Sequence, residues 1–64
     1  MKYEMSHYRK DAAMWRKVDS VTGETDSKAF TAFTSMMGFR ETDHGTYWKQ
    51  EACDEAVEIA IVQE

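Results

Sequence analysis

Residues 26–39, Asp26-Ser27-Lys28-Ala29-Phe30-Thr31-Ala32-Phe33-Thr34-Ser35-Met36-Met37-Gly38-Phe39, carry signals for both ends of one helix. Asp26 or Ser27 can cap its start by accepting a hydrogen bond from a free backbone N–H of the first turn. Phe30, Phe33 and Met37 recur at i, i+3 and i+7, the spacing of a buried stripe, with Ala29 and Met36 beside them. Gly38 suits the left-handed position that closes a helix, and Phe39 falls where a Schellman motif returns an apolar side chain to the last turn. The expected helix therefore spans about residues 26–38. A competing reading runs a strand through residues 28–30 and begins a shorter helix at Thr31, because two threonines and two serines weaken helix propensity here.

Downstream of Gly38 the pattern changes to sheet. Residues 39–42, the turn Asp43-His44-Gly45 and residues 46–51 read as strand, turn, strand, with Gly45 supplying the positive φ of a tight loop. Tyr47 and Trp48 are favoured strand residues. In residues 56–62, Val57, Ile59 and Ile61 alternate, which predicts a third strand, and Cys53-Asp54-Glu55 turns the chain back. Upstream, the first twenty residues are open between two readings. As a helix, Met1, Met5, Tyr8, Ala12 and Trp15 share a face; as a hairpin, residues 2–8 and 14–20 pair across residues 9–13. The expected fold is α+β: one single domain over residues 1–64, with a central helix on a small antiparallel sheet, a C-terminal three-stranded meander, and an N-terminal helix or hairpin.

Sixty-four residues allow only one domain. A chain this short buries about 60% of its unfolded surface, so small domains of this kind lean on disulfides, metals or partners. Apolar residues at 42% and aromatics at 12% are too abundant for a disordered chain. A lone cysteine, Cys53, excludes an internal disulfide and points to a reducing, cytoplasmic compartment. The opening MKYEMSHYRK has no apolar run of the signal-peptide kind, and no stretch approaches the ~18 apolar residues of a membrane span. Net charge is −4 and unevenly spread. Residues 1–20 carry five bases against three acids, +2, whereas residues 51–64 carry Glu51, Asp54, Glu55, Glu58 and Glu64 with no base, −5. That polarity predicts a basic face and an acidic face.

The chemistry-bearing residues are sparse. His7, His44 and Cys53 include no pair at zinc spacing, so neither metal nor cofactor is expected. A Cys53–His44 dyad would need a lowered thiol pKa, and the adjacent Asp54 and Glu55 oppose that. Cys53 is expected in a turn or strand, His44 in the hairpin turn and His7 in a solvated position. The carboxylate pairs Asp54/Glu55 and Glu41/Asp43 lack a cleft in which to shift their pKa values, and the three isolated glycines exclude phosphate-cradling loops. A helix closed by Gly38-Phe39 and a hairpin at Gly45-Thr46-Tyr47 is similar to the small double-stranded-RNA-binding-like toxins of the HicA type over less than half of the chain. That family's active histidine follows its hairpin glycine, whereas His44 precedes Gly45, so no residue role carries over.

With no motif for catalysis, the expected function is a non-enzymatic protein-binding module. Small acidic stand-alone domains are common among accessory proteins of phages and mobile elements, where many block a host protein, anti-CRISPR inhibitors among them. Tyr and Trp anchor protein interfaces. Alternation on a strand sends one of Tyr47 and Trp48 into the core and the other outward. The candidate contact residues are therefore Arg40, Tyr47, Trp48 and Lys49, with Asp54, Glu55 and Glu58 as an acidic surface for a partner that itself carries a basic, nucleic-acid-binding groove. Homodimerisation, which would enlarge the buried apolar area, is a related expectation. The alternative is nucleic-acid binding through two mixed aromatic and basic groups: Arg40, Tyr47, Trp48 and Lys49, and Tyr8, Arg9, Lys10, Trp15, Arg16 and Lys17. A pI near 5 opposes it.

Overall fold

The N-terminal ambiguity resolves as sheet. A computed structural model describes residues 1–62 and places strands β1 (Lys2–Asp11) and β2 (Met14–Glu24) before helix α1 (Ser27–Met36), followed by β3 (Arg40–Glu41), β4 (Tyr47–Ala52) and β5 (Glu55–Val62). The first twenty residues are thus a hairpin, not a helix, and a longer one than residues 2–8 and 14–20. Its turn is only Ala12-Ala13, between the paired residues Asp11 and Met14. Ala12 takes φ 58°, a left-handed conformation normally given to glycine or asparagine. Tyr3 and Met5 alternate with Lys2 and Glu4 along β1, which suits a strand with one buried face.

All five strands form one antiparallel sheet in the order β2-β1-β5-β4-β3. There is no separate three-stranded meander, because β5 pairs with β1 along residues 2–9 and joins the C-terminal strands to the N-terminal hairpin. That pairing makes β1 and β5 the central strands. Beyond residues 40–41 the expected first C-terminal strand does not pair. The loop between β3 and β4 closes with Gly45 N–H donating to Thr42 O at 3.1 Å and Thr42 N–H donating to Thr46 O at 2.8 Å, with Gly45 at φ 82°.

The helix ends follow the capping rules closely. Asp26 accepts from Ala29 N–H at 2.7 Å. At the other end Gly38 sits at φ 78°, its N–H donates to Ser35 O at 3.3 Å, and Phe39 N–H donates to Thr34 O at 2.9 Å. This is the paired bonding of a Schellman motif, and the accompanying apolar contact is Phe39 on Phe33, ring centroids 5.9 Å apart. The buried stripe differs from the expected one. Phe30 and Thr34 face the sheet, whereas Phe33 and Met37 are 42% and 45% exposed. Thr34 tolerates burial because its hydroxyl donates back to Phe30 O at 3.0 Å.

Phe30, Val57 and Ile59 form the core, with Tyr3, Met5, Phe39 and Tyr47 packed around them. Ten helical residues extend about 15 Å, while the ten residues of β1 extend about 33 Å. The helix therefore covers only part of one sheet face.

Candidate functional surface

The opposite, helix-free face is closed by the protein's own aromatic side chains. Cross-strand partners lie on one face, so Tyr8, Lys17, Ala56 and Gln50 share this side, as do Ser6, Ser20, Glu58, Trp48 and Arg40. Small residues of the two central strands, Ser6, Ala56 and Ala60, lie on this side. Larger side chains from β1 itself, β2 and β4 fold over them. The Tyr8 and Trp48 rings meet at 5.4 Å across β5, and Trp15 from β2 meets Trp48 edge-on at 5.4 Å and 79°. Ala56 is 1% exposed and Ser6 3% exposed although no helix lies above them. Tilted and edge-on contacts of this kind favour aromatic pairs beyond their buried area, by ~0.5–1.5 kcal/mol each.

A hydrogen-bonded chain fixes the other side of the cluster. Tyr8 hydroxyl donates to Glu58 Oε1 at 3.3 Å, and Thr46 hydroxyl donates to Glu58 Oε2 at 3.1 Å. Thr42 and Thr46 hydroxyls are 2.8 Å apart. With the Thr46 proton directed at the carboxylate, Thr42 is the donor to Thr46. Burial pushes the Tyr8 phenol pKa above its usual value. The nearby Glu58 charge, the hydrogen bond to Glu58 and the Glu4 charge add to that rise.

The expected contact residues divide between the two faces. Tyr47 packs edge-on against Phe30 at 5.2 Å and belongs to the core, while Trp48 lies on the helix-free face with Arg40 opposite it. Lys49 is on the helix side, 6.0 Å from the centroid of Phe39. Glu58 is committed to Tyr8 and Thr46 rather than presented outward. Asp54 lies in the β4–β5 turn, its carbonyl accepting from Lys10 N–H at 2.8 Å. Glu55 sits beside Arg9 at 3.8 Å. Glu64 lies outside the described residues.

The charge polarity of the chain does not become two separate faces. The tips of the β1–β2 and β4–β5 hairpins fall at the same end of the sheet, so Arg9, Lys10 and Arg16 stand next to Glu51, Asp54 and Glu55. Sequence reasoning also kept the Tyr8/Trp15 and Trp48 groups apart, whereas the β1–β5 pairing merges them. Lys10 lies 5.8 Å from the Trp15 ring centroid at the cluster's edge. His44 and exposed Cys53 occupy turns at opposite ends of β4, about 20 Å apart along its six residues. His7 Nδ1 instead lies 2.8 Å from Asp19 Oδ1. Among the described residues, no three His, Cys, Asp or Glu side chains are grouped to hold a metal, and no helix is long and apolar enough to cross a membrane.

Fold and surface together define a small α+β domain with one helix-covered sheet face and one aromatic face edged by cations. No protein-family model, curated protein or solved structure matches the chain.

Proposed function

We propose that the chain is a non-enzymatic protein-binding module that docks through the aromatic face centred on Trp48. The observation that carries this reading is the convergence of Tyr8, Trp15 and Trp48, from three different strands, on the face the helix leaves open. Trp and Tyr with a nearby Arg are the residue types that dominate interface energies, and a rigid aromatic group loses little entropy when a partner covers it. Arg40, Lys10 and Lys17 supply the polar rim, and Glu51, Asp54 and Glu55 at the adjoining hairpin tip suit a partner with a basic margin. Small size and net negative charge favour an inhibitor or regulator of a host protein, of the kind carried by phages and mobile elements, anti-CRISPR proteins included.

Pull-down from host lysate is expected to recover a stoichiometric partner that Trp48→Ala loses, with far-ultraviolet circular dichroism confirming that the variant is folded. Reversing Glu51, Asp54 and Glu55 together is expected to weaken the same capture. Retention of the partner by folded Trp48→Ala excludes this face as the contact.

A second reading rests on the same cluster. Aromatic rings and four cations, Lys10, Lys17, Arg40 and Lys2, share one strand face, the makings of a single-strand nucleic-acid platform. The rings pack against one another, and Glu4 and Glu58 share the face, so the protein-binding reading stands first. Quenching of Trp fluorescence by a single-stranded oligonucleotide, falling steeply with salt, would reverse that order.

A further inference from the structure

The two edges of the sheet are unequal. One is β3, two residues long; the other is β2, eleven residues long and paired on one side only. The direction of its backbone groups follows from two bonds. Lys10 N–H donates to Asp54 O, toward β5, and Met1 O accepts from Thr25 N–H, beyond the end of β2. Because alternate residues of an antiparallel strand direct their groups to opposite sides, odd residues of β1 bond to β2. Their partners Asp19, Val21 and Gly23 are thereby satisfied, and the N–H and C=O groups of Ser20, Thr22 and Glu24 point away from the sheet. Such an edge is a template for another strand.

We propose that β2 pairs antiparallel with β2 of a second copy of this chain, about a two-fold axis at Val21, to make a continuous ten-stranded sheet. A two-fold axis perpendicular to the sheet keeps each face on its own side, so the axis must pass through a residue, and charge chooses which one. Val18 is the extra residue where the register shifts between His7 and Tyr8, opposite Asp19 and Lys17. With the axis at Val21, Val21 meets Val21, Ser20 meets Thr22, Asp19 meets Gly23, and Lys17 meets Glu24 twice, all with matching faces. Axes at Asp19 or Lys17 set like charges opposite each other, and axes at Ser20 or Thr22 leave Lys17 and Glu24 unmatched. Val21 is 54% exposed, and Glu24, 73% exposed, stands opposite Lys2 on β1 with the N-terminal amine at 3.8 Å. The open backbone groups, the exposed valine and the self-complementary charges thus agree on one occupant.

Sedimentation velocity is expected to show a dimer at micromolar concentration. Lys17→Glu or Glu24→Lys alone sets two like-charged pairs across the interface and is expected to weaken it about tenfold or more, and the double exchange to restore it. Ser20→Pro removes an outward N–H that β1 does not use, and is expected to give a folded monomer. A monomer at all concentrations overturns the proposal, as does a dimer indifferent to the charge exchanges. Trp48 lies three strands away on β4 but Lys17 rims the aromatic face, so Glu24→Lys is the variant in which loss of the dimer leaves capture through that face to be judged separately.

Discussion

Tyr8 is the residue at which the two sides of the molecule's energetics meet. Its ring leans on Trp48 and its hydroxyl bonds Glu58, so it serves both the aromatic layer and the hydrogen-bonded chain from Thr42. The folded phenol holds its proton more tightly than the ordinary value of 10.0. The sign follows directly. The folded pKa is the higher one, so this stabilisation is fully present below about pH 10, where the phenol is protonated in folded and unfolded chains alike. It is lost as pH rises from there through the raised folded value. Tyr8→Phe removes the bond, at a cost of about 1 kcal/mol near neutral pH, and removes the alkaline dependence with it. Urea unfolding of both proteins across the alkaline range is expected to show their stability difference shrinking above pH 10. A difference that stays constant would mean that neither burial nor Glu58 raises the Tyr8 phenol.

Among the elements, α1 and the β1–β2 hairpin contrast in how openly they are written. The helix was legible because each end carries its own chemistry: a carboxylate for the first turn and a glycine for the left-handed close. Its buried face was only half legible, because Thr34 enters the core by returning its hydroxyl to the backbone, and no hydropathy pattern shows that. The hairpin was legible only as one of two readings because its turn is Ala12-Ala13, with none of the Gly, Asn or Asp that normally mark such a loop. What decides the strand is β5 lying against β1 from 46 to 60 residues away, a tertiary effect that local propensity cannot register. The same long-range pairing brings Trp15 and Tyr8 to Trp48, which is why the aromatic face read as two unrelated groups. The cap argument has a testable edge at Gly38. A Cβ there meets no atom within 4 Å, so Gly38→Ala isolates the backbone cost of φ 78° from any clash. Thermal unfolding is expected to show a loss of about 1–2 kcal/mol. A neutral result would mean that the chain closes the helix without the left-handed residue.

For the whole molecule, β5 is the most deeply buried strand, covered on both of its faces. Phe30 and its neighbours cover Val57 and Ile59 from the helix side, and the Tyr8–Trp48 pair covers Ala56 from the other. Elsewhere the covering is thin, as the exposure of Met14, Val18, Val21 and Met36 shows. Folding stability is therefore concentrated on one strand rather than spread through a broad interior. At 0.05–0.15 kcal/mol per residue the domain holds roughly 3–10 kcal/mol in total. Truncating a fully buried isoleucine costs about 2–5 kcal/mol through lost burial and the cavity left behind. Ile59→Ala, at the centre of β5 and 1% exposed, is thus expected to remove most or all of the stability, while Met36→Ala, at 83% exposure, leaves it nearly unchanged. Urea midpoints measured side by side decide the matter. Similar losses from the two substitutions would mean that the apolar residues outside β5 are covered after all, as they would be if the helix side of the sheet were itself buried against another chain.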